Sequence, residues 1–218
     1  MSDHSTFTIG TSIPTPHCHG MVEHPQADVE RARLSPGTHE AADDSLSIHI
    51  LHGLAYTVGS ALGSTPPSKE TCLAAFVAPN KVGLAAGARA WSKHSHRSGV
   101  PEPESDPEVG RRSGMQKPVE AGNPGWWGTP SGPVAMINEK AMKLFRKVMD
   151  NASWRNLHWL PHQVLVYEVR VPDGYGMRWS QNQSDDWEAQ LTGEGKSWVF
   201  RGFLEPPMEN GHAIGWRH

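Results

Sequence analysis

Charged side chains recur at alternate positions of two segments that the sequence predicts to be paired strands. Residues 163–171 are rich in Val, Leu and Tyr, a Pro-Asp-Gly turn follows, and residues 175–180 return. Because successive side chains of a strand point to opposite faces, Glu168, Arg170 and Arg178 should share one face. Arginine forks bind carboxylate or phosphate, and glutamate binds a guanidinium. The face is therefore predicted to bind a charged substrate, or else to be a solvated face with cross-strand ion pairs.

A third strand is predicted at residues 196–205, beyond a polar loop at residues 181–195. Alternation along this strand separates Trp198, Phe200 and Leu204 from the side chains of the opposite face. That opposite face carries Val199, Arg201, Phe203 and Glu205. We therefore expect Arg201 and Glu205 to complete the charged surface as substrate-binding residues.

Histidines cluster beside tryptophans in GARAWSKHSHRS (87–98), in NLHWLPH (156–162) and near the end of the sequence. Imidazole serves as a general acid or base near neutral pH, as a phosphate donor when charged, or as a metal ligand. His94, His96 and His158 are therefore candidate catalytic residues, and Lys93 and Arg97 are candidate phosphate contacts. Two alternatives stay open. His94 and His96 on a strand could bind zinc with His158, His162 or His212, or the histidines could be structural.

Two aromatic features add candidates. The Gly/Pro-rich segment 123–133 presents Trp126 and Trp127, which could stack on a base or sugar, or could plug the core. Tyr167, in the first strand of the hairpin, is a possible proton carrier. We expect Trp127 to contact substrate and Tyr167 to assist catalysis.

Helices are predicted on the N-terminal side of these strands. Residues 69–78 place apolar side chains on one face, with Ser68 as the N-cap. Residues 139–150 have a clear helical apolar period after Asn138. Residues 46–63 fit a strand followed by a short helix, or one helix. The fold class predicted from this pattern is α+β, an antiparallel meander backed by helices.

Composition divides the chain of 218 residues into unequal parts. All nine tryptophans lie at or after Trp91, which predicts a flexible tail at 1–44 and a single domain at 45–218. Within the domain, residues 101–123 read as a mobile charged loop whose Arg111 and Arg112 could contact phosphate. Two cysteines and no secretory or membrane-spanning segment predict a cytoplasmic protein with no membrane role.

Charge restricts the partners. Residues 1–82 carry 4 basic and 8 acidic side chains, and residues 83–218 carry 16 and 15. A broad surface for duplex DNA is therefore not expected, although local basic clusters could hold the phosphates at one end of an RNA. The motifs of P-loop, dinucleotide-binding and α/β-hydrolase enzymes are absent from the sequence.

The segments GARAWSKHSHRS, GWWGTPSGP, NLHWLPH, GYGMRWS and RGFLEPPMENGHAIGWRH resemble the arginine-containing cyclodipeptide synthases, small fungal-type enzymes. The resemblance covers about residues 84–218. It implies a tRNA-dependent aminoacyltransferase whose partners are arginyl-tRNA and a second amino-acid donor. Because an aminoacyl ester is already activated, no cofactor and no metal are implied. Glu168 and Glu205 would hold the arginine guanidinium.

Two other functions fit the same residues. One is a small hydrolase or transferase, with or without zinc, acting on a phosphorylated metabolite through the His/Arg set. The other is a non-enzymatic module that binds RNA or a small ligand with its tryptophan loop.

Overall fold

A computed structural model describes residues 13–34, 44–94, 125–184 and 196–207, and within these ranges the chain forms five helices and one four-stranded sheet. The helices are α1 (Gln26–Arg33), α2 (Ser45–Leu51), α3 (Lys69–Val77), α4 (Ala86–His94) and α5 (Val134–Asp150). The strands are β1 (Trp154–Leu160), β2 (Val164–Arg170), β3 (Gly176–Asn182) and β4 (Val199–Leu204). The α+β prediction is confirmed.

The sheet is an antiparallel meander in which neighbours in sequence are neighbours in space, in the order β1-β2-β3-β4. Its register places Glu168 between Asn156 on β1 and Arg178 on β3. The β3–β4 register shifts between Arg178 and Trp179, at a bulge. A bulge adds one unpaired residue to a strand and changes which side chains face the same way.

Helices α3, α4 and α5 pack on one face of the sheet, and the main core lies between the two layers. Phe76 of α3, Phe145 of α5 and Trp179 of β3 are fully buried there, with ring centroids 5.0 Å apart for the two phenylalanines. Ser68 caps α3 as predicted, since its Oγ accepts the Thr71 N–H at 3.1 Å. The other side of the sheet, which we call the outer face, carries Asn156, His158, Val166, Glu168, Arg170, Arg178 and Ser180.

The N-terminal residues form a second, smaller layer at the β1 edge. Helices α1 and α2 share a separate apolar cluster that includes Ala27, Leu34 and Ile50. The segment after α2 then runs beside β1, where the Ala55 N–H donates to the Arg155 carbonyl at 2.6 Å and the Ala61 N–H donates to the Leu157 carbonyl at 2.8 Å. These bonds satisfy the backbone groups of β1 that no other strand pairs.

Part of the predicted flexible tail, residues 13–34, lies within the described ranges and is folded. Helix α1 lies inside the predicted flexible tail, and ion pairs at 2.6 Å join Arg31 to Glu23 and Arg33 to Glu30. The tail was predicted from the average composition of 44 residues, and such an average does not reveal a helix of only eight residues. The proposed mobile loop at 101–123 lies outside the described residues.

Three details of the predicted strands and helices were wrong. Strand β1 was missed because WRNLHWL alternates poorly, and GARAWSKH forms α4, which places His94 at the end of a helix and excludes a strand carrying it. On β4 the bulge moves Phe203 to the helix side, opposite Met177, and Leu204 to the outer face, opposite Gly176.

No helix in the described ranges is long and apolar enough to cross a bilayer.

Candidate functional site

The outer face holds a groove with a cationic end and an apolar wall. It encloses about 360 Å³, which lies within the range of roughly 300–1,000 Å³ for small-ligand pockets. Arg178 and Arg201 lie at one end of the groove. The remaining lining residues come from the four strands and, in the case of Ser197, from the residues just before β4. These are Leu160, Val164, Val166, Ser180, Asn182, Ser197 and Val199. The groove therefore combines charge for an anion with apolar surface for a neutral group.

The two arginines of the groove have their guanidinium groups available. Neither Arg178 nor Arg201 makes a hydrogen bond or an ion pair with any residue of the described ranges. Burial lowers the pKa of Arg178, Glu168 opposes that shift, and Arg201 and Arg170 add to it. An arginine nevertheless stays protonated in a protein, so this end of the groove is suited to a bound anion.

His158 lies next to the groove, separated from Ser180 by Val166, which pairs with both in the sheet register. Its ring is half-buried and makes no hydrogen bond within the described part of the chain. Burial lowers its pKa below the ordinary 6.5, the charge of Glu168 opposes this, and the charges of Arg178 and Arg170 reinforce it. The imidazole is therefore neutral at pH 7 and can accept a proton.

Glu168 is held in place by Arg170. Arg170 Nε donates to Glu168 Oε1 at 2.6 Å, and the side chains are 5% and 13% exposed. The Nη1 atom of Arg170 also donates to the carbonyls of Gly174 and Glu205, at 2.6 and 2.8 Å. The Glu168 carboxylate, predicted to bind the guanidinium of a substrate, is paired in the structure with the guanidinium of Arg170 on its own strand.

The β1 side of the site is fixed by amide and hydroxyl groups. Asn156, which pairs directly with Glu168 across the strands, accepts from Ser60 Oγ at 3.0 Å and donates to Thr57 Oγ1 at 2.9 Å. Ser60 in turn forms a backbone bridge with His158. The N-terminal segment therefore determines where the backbone of His158 lies.

The structure does not place the other predicted catalytic and aromatic residues in this site. Tyr167 is on the opposite face in the core, and burial raises its pKa to about 12. Trp127 is buried as a plug, and its Nε1 donates to Glu205 Oε1 at 3.0 Å. Trp127 and Tyr167 therefore lie on the helix side of the sheet, away from His158. The Glu205 side chain lies with Trp127 and not with Arg201.

The predicted phosphate contacts are also separate from the groove. Lys93 is exposed on α4, which packs on the helix side of the sheet. His94 ends that helix, and His96, Arg97, Arg111 and Arg112 lie outside the described residues. No three His, Cys, Asp or Glu side chains of the described ranges group together in a way that could hold a metal ion.

Sequence reasoning missed several residues of the groove. Asn182 belongs to it because β3 continues two residues beyond its predicted end at Ser180, and Ser180 was in the predicted strand but was not named as a site residue. Alternation from Arg178 would have placed both on the outer face. Leu160 and Ser197 had no signal in the sequence, because strand register and loop closure bring them to the groove.

Residues 108–187 match the family model described as the CdiA C-terminal tRNase toxin domain. The matched range includes α5 and β1 to β3, and so His158, Glu168 and Arg178. A search of curated proteins gave no match. A search of solved structures gave no match either.

This match corrects the resemblance drawn from the sequence. The predicted cyclodipeptide synthase and its aminoacyltransferase activity are wrong, because the matched domain is a nuclease that cleaves tRNA. That resemblance depended on the appearance of several segments and not on a set of site residues. Over residues 108–187, which contain most of the outer-face site, the chain is similar to a tRNA-cleaving toxin domain.

Proposed function

We propose that the chain is a ribonuclease that cleaves tRNA at the groove of the outer face. The observation that carries the proposal is the half-buried His158 ring, without a hydrogen-bond partner in the described ranges, on the same face of the sheet as Glu168 of the neighbouring strand and Arg178 of the strand beyond it. The match of residues 108–187 to a tRNase toxin domain supports it. A proton acceptor and a guanidinium on one surface can promote attack by a 2′-hydroxyl on a phosphodiester, since one removes the proton and the other binds the phosphate.

RNA carries its own nucleophile, the 2′-hydroxyl next to each phosphodiester. Neutral His158 takes the 2′-hydroxyl proton while the 2′-oxygen attacks phosphorus and the bond to the 5′-oxygen breaks. The leaving 5′-oxygen takes a proton from water, and the products are a 2′,3′-cyclic phosphate and a 5′-hydroxyl. The imidazolium then returns its proton to solvent. Glu168 stabilises that imidazolium, since its charge raises the pKa of His158.

Arg178 and Arg201 hold the phosphate in this proposal. A guanidinium donates two parallel hydrogen bonds to phosphate oxygens, and it offsets the negative charge that develops on them during attack. Arg178 is well suited to this role because it is half-buried, where charge is less screened than at the surface.

Transfer RNA is the substrate that the proposal retains from the sequence. The proposal does not need arginyl-tRNA or a second amino-acid donor, since only dipeptide synthesis would use them. Because tRNA takes part in translation in the cytoplasm, the proposal places the action of the chain there. As a toxin, the chain would stop the growth of a cell by depleting tRNA.

The test is cleavage of total bacterial tRNA by purified protein in buffer with EDTA, with sequencing and end analysis of the fragments. We expect fragments ending in 2′,3′-cyclic phosphate. Fragments with 3′-hydroxyl and 5′-phosphate ends would contradict attack by the 2′-hydroxyl. Intact tRNA after incubation with folded protein would contradict the ribonuclease itself.

Variants locate the activity on the outer face. Arg178→Ala should lower the cleavage rate by about 100-fold or more, and Arg178→Lys, which keeps the charge but not the fork, by less. Arg146→Ala, on the exposed surface of α5, is the matched control and should retain full activity. Equal losses of activity in Arg178→Ala and Arg146→Ala would contradict cleavage at the groove.

A further inference from the structure

We infer that the groove is a subsite for the nucleotide that carries the attacking 2′-hydroxyl, and that Asn182 selects its base. The inference rests on the proposed ribonuclease function and extends it to specificity. It commits to one occupant, a single nucleotide with an unstacked base. Charge complementarity supports this choice, since neither Arg178 nor Arg201 forms an ion pair or a hydrogen bond with a carboxylate of the described residues, although Glu168 lies on the strand next to Arg178.

The spacing along β3 fits a nucleotide laid along the strand. Arg178, Ser180 and Asn182 follow one another on the outer face at intervals of about 7 Å. A phosphate at Arg178 therefore places the ribose over Ser180. Because Ser180, Val166 and His158 lie in one row across the sheet, the 2′-hydroxyl of that ribose points toward His158.

The base then lies at the apolar end of the groove. Leu160 and Val199 are both about half exposed there, at 45% and 51%, and Val164 and Val166 complete the wall. Aliphatic side chains exposed to this extent gain from covering the face of a base. This wall fits any of the four bases and does not distinguish them.

Asn182 supplies the discrimination because its amide orientation is fixed. Its Oδ1 accepts the backbone N–H of Ser184 at 3.0 Å and the Ser184 hydroxyl at 2.7 Å. A backbone N–H can only donate, so the oxygen of the amide must face Ser184. The amide nitrogen is then directed away as a pure donor, which pairs with O4 of uracil or O6 of guanine, at the position where cytosine and adenine carry an amino group.

The rim that carries Asn182 is firmly placed. The Gln183 N–H donates to the Gln163 carbonyl at 2.8 Å, and Lys196 Nζ donates to the Gln183 carbonyl at 2.6 Å. The Gln181 amide also donates to the Lys196 carbonyl. These bonds tie the end of β3 to β2 and to the segment that leads into β4, so the donor is positioned before a base arrives.

The experiment uses four DNA oligonucleotides that each contain one ribonucleotide, with U, G, C or A as its base. Wild type should cleave after U and G about fivefold faster than after C and A, the worth of about one hydrogen bond. Asn182→Asp replaces the donor with an acceptor and should reverse this ratio in favour of C and A. Asn151→Asp introduces the same charge change at the end of α5, away from the groove, and should leave the ratio unchanged.

Binding of nucleoside 3′-monophosphates, measured by NMR, separates this inference from the proposed function. Preferential binding of the U and G forms, lost in Asn182→Asp, supports the subsite. Cleavage at equal rates after all four bases would overturn the base selection and leave the ribonuclease in place. Absence of both oligonucleotide cleavage and nucleotide binding in protein that cleaves tRNA would overturn the subsite alone, and absence of tRNA cleavage as well would overturn both. A dimer that Val199→Asp disrupts would mean that a second copy covers the groove, which also overturns the subsite.

Discussion

Arg170 Nε lies 2.6 Å from Glu168 Oε1, and the two side chains are almost completely buried on the same strand. The same guanidinium bonds the carbonyls of Gly174 and Glu205, so one residue joins the β2–β3 turn, the end of β4 and the acid beside His158. Gly176, which pairs with Arg170, leaves room for the Arg170 side chain. A Cβ at Gly176 would overlap the Val169 carbonyl oxygen and crowd the Arg170 side chain. Arg170 therefore acts as a positioning residue.

Replacing Arg170 with methionine should lower the free energy of unfolding by about 3 kcal/mol, since it leaves a buried carboxylate without its partner. Urea denaturation followed by tryptophan fluorescence measures this. The control is Lys69→Met, which breaks an exposed pair between Lys69 and Asp150 and should cost less than about 1 kcal/mol. A cost as small for Arg170 as for Lys69 would refute the positioning role.

The cleavage rate should rise with pH through a midpoint below 6.5 and then stay level. Burial lowers the pKa of His158 from 6.5, and the proposed mechanism needs its neutral form. Glu168→Gln should move the midpoint still lower, because the Glu168 carboxylate raises that pKa. Rates of tRNA cleavage between pH 4.5 and 8 measure the midpoint.

Glu139→Gln removes an exposed carboxylate on α5 and should not move the midpoint. His158→Asn should lower the rate by about 100-fold or more on the plateau above the midpoint and abolish the dependence. A midpoint that persists in His158→Asn would assign the titration to another group.

Acid should destabilise the fold between pH 7 and 5. Burial lowers the pKa values of His49, His52 and His158 from 6.5, so below that pH the unfolded chain binds protons that the folded chain does not. The contribution is fully present above pH 6.5 and is lost as pH falls. The hydrogen bond from Arg33 is the main cause that lowers the pKa of Glu30, and this shift changes stability only below pH 4.5.

Urea denaturation at pH 5, 6 and 7 tests this dependence. His52→Gln should reduce the loss of stability between pH 7 and 5, because it removes one of the three groups. His19→Gln, at an exposed position, is the composition-matched control. Stability that is flat or rises toward pH 5 would contradict the prediction.

Gly87 of α4 packs directly against the ring of Phe76. A Cβ at Gly87 would overlap the Phe76 ring, which is completely buried. Gly87→Ala should therefore destabilise the protein by about 2 kcal/mol, although alanine is the better helix former. In the double variant with Phe76→Leu, which makes room, the loss should be smaller than the sum of the two single losses. Thermal unfolding of the four proteins measures the coupling, and simple additivity would contradict it.

The resemblance to the cyclodipeptide synthases was wrong for a physical reason. It depended on the overall appearance of glycine- and tryptophan-rich segments, and several of those segments serve packing. Trp127 is a core plug bonded to Glu205, and Trp179 donates to the Cys72 carbonyl at 3.1 Å. Large aromatics recur wherever a small core must be filled, so they carry little information about chemistry.

The sequence by itself determined the elements whose signals are local. Ser68 begins α3, the apolar period of α5 selects its buried face, and alternation in β2 separates Glu168 from Tyr167. Each follows from backbone geometry within a few residues. The α+β class and the charged face of the hairpin were therefore predictable.

Only the tertiary structure decided which of these residues meet. Strand register places His158 in the row of Ser180 and beside the row of Glu168 and Arg178, and the bulge moves Phe203 to the core and Leu204 to the outer face. The edge of β1 is covered by a segment about 100 residues earlier, through the bond between Ser60 and Asn156. Such pairings depend on contacts between residues distant in sequence, and alternation within one strand contains no information about them.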